Sequence, residues 1–260
     1  MKKLLAVLFE KDIDSSAAQV AFYFLIALFP FLFIISKLTA IFSISNDSIL
    51  ELLFFVFPEN TYQLIYQNLQ TLTANSDSVM IFISILLALW SASRVTNALK
   101  KTFGYNYPEP IPMNLVYTRL ISVLFTMIFA FLVLFSFFAL LLLNLISGFI
   151  TTYFGIGAIA NLLSMMVTVG IAVVDLVFIY MYLPPKRIPF KAALPGAVFS
   201  TIGFWVASFA FSYYVNNIAN FTRLYGALAS LVILMLWLYI CSYIIILGGE
   251  INNLLIVRRK

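Results

Sequence analysis

Polar residues interrupt this chain rarely, and between them lie six apolar runs, at roughly 17–43, 79–99, 119–147, 158–183, 193–215 and 225–256. Each run is continuously apolar rather than alternating. That predicts helices and argues against a β-barrel, whose strands alternate lipid-facing and lumen-facing residues. About 20 helical residues cross about 30 Å of hydrocarbon, so each run is long enough to span a bilayer. The third and sixth exceed the minimum and predict tilt or extension beyond the lipid. The predicted fold class is all-α: one polytopic membrane domain over residues 1–260, built as a bundle of six transmembrane helices.

Charge then assigns the sides. Lys2, Lys3 and Lys11 precede the first run. Arg94, Lys100, Lys101 and Arg119 surround the gap after the second, and Lys186, Arg187 and Lys191 fill the gap after the fourth. Arg258, Arg259 and Lys260 follow the sixth, so only Lys37 and Arg223 stand outside every second gap. Cytoplasmic loops retain Lys and Arg, which predicts a multi-pass membrane protein with both termini in the cytoplasm. Composition agrees: 63% of residues are hydrophobic and 10% charged, against about 45–50% and about 25% in soluble domains. The net charge of +5 reads as a set of topology determinants beside anionic lipid, with no basic, aromatic-interleaved stripe for nucleic acid. After Lys3 only a short apolar stretch precedes Glu10, too short for a signal-peptide core. Residues 4–9 are expected to lie as an interfacial helix, and Asp14, Ser15 or Ser16 to cap the first span.

The gaps have their own character. Residues 44–78, on the predicted outer side, hold Asp47, Glu51, Glu59 and Asp77 without a basic residue. Leu52 to Phe57 form an apolar run ended by Pro58, and Tyr62, Ile65, Tyr66, Leu69 and Leu72 follow at helical spacing. Two short amphipathic helices are expected in this first outer loop. The inner connectors around Pro108, Pro110 and Pro112, and around Pro184, Pro185 and Pro189, are stiff and cannot be helical throughout. Small residues at four-residue spacing, Ser84, Ala88, Ala92 and Thr96 in the second run and Ala192, Gly196 and Ser200 in the fifth, predict close helix contacts. Pro30 lies within the first run, where it should free a carbonyl and kink the helix.

Charges inside a span cost about 2.5–3.5 kcal/mol on insertion scales, so they are the candidates for chemistry. Arg94, Asp175 and Glu250 fall at similar depth in the inner half of the predicted bilayer. Trp90, Arg94 and Asn97 share one helical face, and Tyr239, Tyr243 and Glu250 another. An ion pair of Arg94 with Glu250 or Asp175, facing an inward-open cavity, is the sharpest expectation. A buried structural pair, or Arg94 snorkelling to the interface, competes with it. Enzymatic chemistry is not expected. The chain has no His, which removes Ser-His hydrolysis and His-metal sites. Asp175 alone cannot form an aspartyl dyad, and no Gly-rich phosphate loop is present. Neither a metal nor a cofactor is expected. The lone thiol, Cys241, reads as a packing residue.

Three segments resemble the YihY/BrkB family of bacterial inner-membrane proteins: Asp14 through Pro30, Leu89 through Tyr107 with its Trp90-Ser91-Ala92-Ser93, and Leu224 through Asn252 with its Gly248-Gly249-Glu250-Ile251-Asn252. The connector from Leu183 to Gly196 is also similar, so the resemblance spans nearly the whole chain. It implies a six-helix inner-membrane protein, in a family whose members have been labelled ribonuclease BN, tied to serum resistance or described as transporters. Joined to the membrane charges, it gives a transporter or exporter of a small solute or lipid-like amphiphile as the expected function. The competing class is a non-transporting scaffold organising cell-envelope enzymes. The candidate substrate-binding residues are Tyr23, Arg94, Asn97, Asp175, Tyr225, Glu250 and Asn252. Expected partners are membrane lipids and an unidentified solute or lipid substrate, with no nucleic acid. A homo-oligomer stays open.

Overall fold

The computed structural model describes residues 13–41, 78–104, 115–154, 157–184, 187–217 and 225–257, together with Phe221. The expected interfacial helix at 4–9, the amphipathic helices of the first outer loop and the proline connector at 107–112 lie outside the described residues. Among the described residues the fold is all-helical, with no strand. Its long helices are α1 (Ile13–Ile41), α2 (Ser78–Gly104), α3 (Leu115–Phe154), α4 (Gly157–Tyr182), α5 (Phe190–Asn217) and α6 (Ala229–Val257). Four described stretches, Phe82–Gly104, Gly157–Tyr182, Phe190–Asn217 and Ala229–Ile256, are long and apolar enough to cross a membrane. Within α1 and α3 the qualifying apolar stretches are shorter, Ile13–Leu28 and Phe138–Tyr153.

Helix ends depart from the apolar runs for local reasons. α2 continues past the run to Gly104 because Thr102 and Phe103 are buried and the Thr102 hydroxyl donates to Ala98 O at 2.9 Å. α3 is 40 residues long. Near its end Thr151 and Thr152 donate back to Ser147 O and Gly148 O at 2.8 and 2.9 Å, satisfying their hydroxyls within the helix. α6 starts later than its run. Gly226 holds a φ of 52° and a single 3₁₀ turn, Gly226–Leu228, intervenes before Ala229. α1 is already helical at Ile13, so Asp14 lies in its first turn, where a carboxylate favours the helix N-terminus, rather than capping it. The helix runs on through Pro30.

Each helix packs on its chain neighbours, and α6 returns to α1, which closes the circuit; α6 also touches α2 and α4. The main core gathers one end of five helices: Ile13, Ala17 and Val20 of α1, Val95 to Phe103 of α2, Val177 to Leu183 at the end of α4, Ala192 to Ala197 of α5, and Ile246 of α6. Lys100, Lys101, Arg187 and Lys191 lie at this same end, hereafter the basic end. Two smaller clusters tie the rest of α6 to its neighbours. Phe211, Val215, Ile233 and Trp237 join α5 to α6, with Cys241 packed against them. Ala21, Leu234 and Leu238 join α1 to α6. The halves of α3 and α4 far from the basic end are loosely covered. Leu142, Leu145, Phe149, Leu162, Leu163 and Met166 are exposed, and a Cβ placed on Gly148 or Gly170 would touch nothing within 4 Å.

Candidate functional site

The tightest place in the molecule is the seam where α5 crosses α6 near the basic end. Gly196 and Gly248 bring the two backbones together. A Cβ on Gly196 would strike Gly248 O and approach the Asn252 side chain to 2.5–2.6 Å. A Cβ on Gly248 would strike Ser200 Oγ and the Tyr180 hydroxyl and come within 2.7 Å of Gly196 O. Such close approach is the usual reason for small residues at membrane helix contacts. The stripe Ala192, Gly196, Ser200 is buried here, as its spacing predicts. α2 adds a third wall: Phe103 lies against Gly249, where any Cβ would run into its ring.

Polar groups clasp the seam. The fully buried Asn252 accepts from Gly196 N–H at 2.7 Å through Oδ1 and donates to Ala193 O at 3.0 Å through Nδ2. Pro195, within α5, has no N–H to give, so the ladder is already interrupted where Asn252 inserts its amide. On the adjoining turn the Tyr180 and Ser200 hydroxyls sit 2.8 Å apart, within bonding distance of Ile245 O (2.8 Å) and Ile244 O (3.1 Å) respectively. Two protons serve these three contacts. Each hydroxyl can donate to its carbonyl, Tyr180 to Ile245 O and Ser200 to Ile244 O, or one of them can donate to the other hydroxyl instead. Phe103 stacks edge-on to Tyr180, with ring centroids 5.9 Å apart. Glu250 is 3% exposed in the same stretch of α6. A shallow pocket lined by Phe103, Tyr180, Pro184, Ile188, Gly249, Asn252 and Asn253 has room for about one water, about 10 Å³. Among the described residues the seam leaves room for about one water at the basic end, where the sequence suggests an inward-open cavity.

The seven candidate residues do not form one site. Asn252 and Glu250 belong to the seam, and Tyr23 packs against the same core. Arg94 and Asn97 are exposed on α2, and Tyr225, 48% exposed, sits at the opposite end of the bundle beside Phe221. Asp175 is half-buried between α3 and α4, where it accepts a hydrogen bond from Ser136 at 3.1 Å. Among the described residues Arg94 pairs with neither acid. Its guanidinium lies over the Trp90 ring, 5.2 Å from the centroid, in a cation–π contact. The reason is the face α2 buries. Ser91, Val95, Ala98 and Leu99 turn inward, which turns Trp90, Arg94 and Asn97 outward. Of the small stripe on α2, Thr96 is buried and accepts from Thr126 of α3 at 3.1 Å.

Sequence reasoning missed Tyr180, Ser136 and the functional sense of Gly248. A tyrosine within an apolar span was a usable signal, because a buried phenol needs a partner. No sequence signal pairs Ser136 with Asp175, since that contact depends on the register of α3 against α4. Outward from Asp175, Thr168 and Ser164 occupy the same half-buried face of α4, and Thr168 donates to Ser164 O at 2.8 Å. The described residues contain no group of three His, Cys, Asp or Glu side chains able to hold a metal.

The family model for virulence factor BrkB matches residues 4–260. The chain belongs to the virulence factor BrkB family. Among relatives of this BrkB-family chain, the ribonuclease-like protein YfkH of Bacillus subtilis is 32% identical over 95% of this chain and 91% of its own length. A UPF0761 membrane protein of Alteromonas mediterranea is 28% identical over 93% of this chain and 82% of its own. Another from Pseudoalteromonas translucida is 32% identical over 38% of this chain and 33% of its own. No solved structure matches. The chain is therefore a membrane protein of the BrkB family; the ribonuclease-like name belongs to YfkH alone among these three relatives.

Proposed function

We propose that this BrkB-family chain crosses the bacterial inner membrane six times with both termini in the cytoplasm, and that it transports an amphiphile carrying a cationic group, which it holds at Asp175. The placement follows from the basic end. Lys100, Lys101, Arg187 and Lys191 gather there, where cytoplasmic loops keep their cations.

Asp175 carries the functional reading. It lies about two turns, about 10 Å, from the end of α4, still within the span. Acids at such depth face protein or a water-filled cavity and mark substrate or ion paths. Among the described residues its hydrogen-bond partner is a neutral hydroxyl, Ser136, and it is only half covered. A structural acid would be fully enclosed or matched by a cation. The packed layer from Val177 to Leu183 closes the cytoplasmic side. Thr168 and Ser164 continue the polar face toward the outer side. In this reading Asp175 lies at the bottom of an outward-facing path between α3 and α4. A scaffold has no need of a half-covered acid at this depth.

The test uses purified protein in vesicles with a fluorescent amino-phospholipid and a panel of amphiphilic amines. Wild type should accelerate movement of at least one of them across the bilayer. Asp175→Asn keeps the shape and the acceptor for Ser136, so it should fold normally yet lose about tenfold or more in rate. Equal rates for the two proteins would refute the role of Asp175.

A further inference from the structure

The outward face of α2 offers a site that transport does not use. Trp90, Arg94, Asn97 and Lys101 are all exposed and fall at spacings of four, three and four residues, on one side of the helix. Above them the same side is apolar: Val79, Phe82, Ile83 and Leu86 are exposed. The face therefore grades from hydrocarbon to amide to cations toward the cytoplasmic end, as an anionic phospholipid grades from acyl chain to phosphate.

Two details make this more than a general basic rim. Arg94 has no carboxylate among the described residues, and it does not extend toward the basic end, as a snorkelling arginine would. It folds back over Trp90, 5.2 Å from the ring centroid. Stacking covers one face of the guanidinium, and its edge N–H groups match the oxygens of a phosphate in a bidentate fork. Trp90 is 50% exposed and sits near the middle of α2, at the depth of an acyl chain.

We infer that Arg94, Asn97 and Lys101 bind the headgroup of an anionic phospholipid of the inner leaflet, with one acyl chain laid along Trp90, Leu86 and Phe82. This rests on the membrane placement proposed above and not on transport.

The indoles supply the readout. Trp90 faces lipid, whereas Trp237 is fully buried and Trp205 half-buried. Subtracting the signal of Trp90→Phe from that of wild type isolates Trp90. In bilayers containing brominated phosphatidylglycerol or brominated phosphatidylcholine, Trp90 should reach half-quenching at about a fivefold lower fraction of the anionic lipid. Arg94→Gln should remove most of that preference, since a basic group near the surface is worth roughly that factor. Equal quenching by the two lipids would overturn the site and leave the membrane placement intact. No quenching by either would overturn both. Loss of the preference on adding inorganic phosphate would overturn the lipid assignment in favour of a soluble anion.

Discussion

Gly248→Ala should destroy the packing of the basic end. Its methyl group has nowhere to go: Ser200 Oγ and the Tyr180 hydroxyl lie in its path, and Gly196 O is 2.7 Å away. The Tyr180 ring cannot swing aside, because it is buried against Phe103 and its hydroxyl is engaged. Relief requires α5 and α6 to separate, which also draws Asn252 from Gly196 and Ala193. We expect a loss at or beyond the upper end of the roughly 1–3 kcal/mol usual for overpacking, seen as a lower midpoint in thermal unfolding followed by the buried Trp237. Gly170→Ala, with nothing within 4 Å of its added Cβ, is the matched control and should leave the midpoint nearly unchanged. If Gly248→Ala were as stable as that control, the close contact at the seam would not exist in the membrane.

Asn252→Leu should be the second large loss. Leucine fills similar space, but Gly196 N–H and Ala193 O lose the partner that now satisfies both. Each buried polar group that loses its partner costs about 1–3 kcal/mol, so a total of about 2–6 kcal/mol bounds the loss. Asn252→Asp separates the polar clasp from simple space filling. A carboxylate still accepts from Gly196 N–H but cannot donate to Ala193 O, and its charge is buried. It should therefore be no better than leucine in the same unfolding measurement. A fully stable Asn252→Asp variant would mean that the side chain is not held between these two groups.

These two residues show what was legible beforehand. The helices themselves follow from apolar runs, because in lipid every backbone polar group must be satisfied within its own segment. Ala192, Gly196 and Ser200 announced a close contact through spacing alone, and the structure places α6 against that stripe. Asn252 reads from the sequence as a binding candidate, and the structure adds its two hydrogen bonds to α5, which the sequence does not announce. The expected pairing of Arg94 with an acid is not seen among the described residues. Depth along the chain put Arg94 level with Asp175 and Glu250, but depth fixes only one coordinate. Rotation about the helix axis fixes the other, and the buried face of Ser91, Val95, Ala98 and Leu99 decides it. Asp175 survives as a candidate because its contact with Ser136 keeps it half-covered within the span. No pattern within α4 alone could have shown which residue of α3 it meets.

The central claim is that water and solute reach Asp175 from the outer side along α4. Thr168 stands on that path, about two turns outward on the face that carries Asp175. With Cys241→Ala removing the native thiol, Thr168→Cys in intact cells should react with a membrane-impermeant thiol reagent added outside. Ser200→Cys, buried in the seam, should not react. A Thr168→Cys protein that stays unlabelled in cells and reacts only after detergent would mean that the face lies against lipid or a neighbouring helix, and the transport account would fail with it.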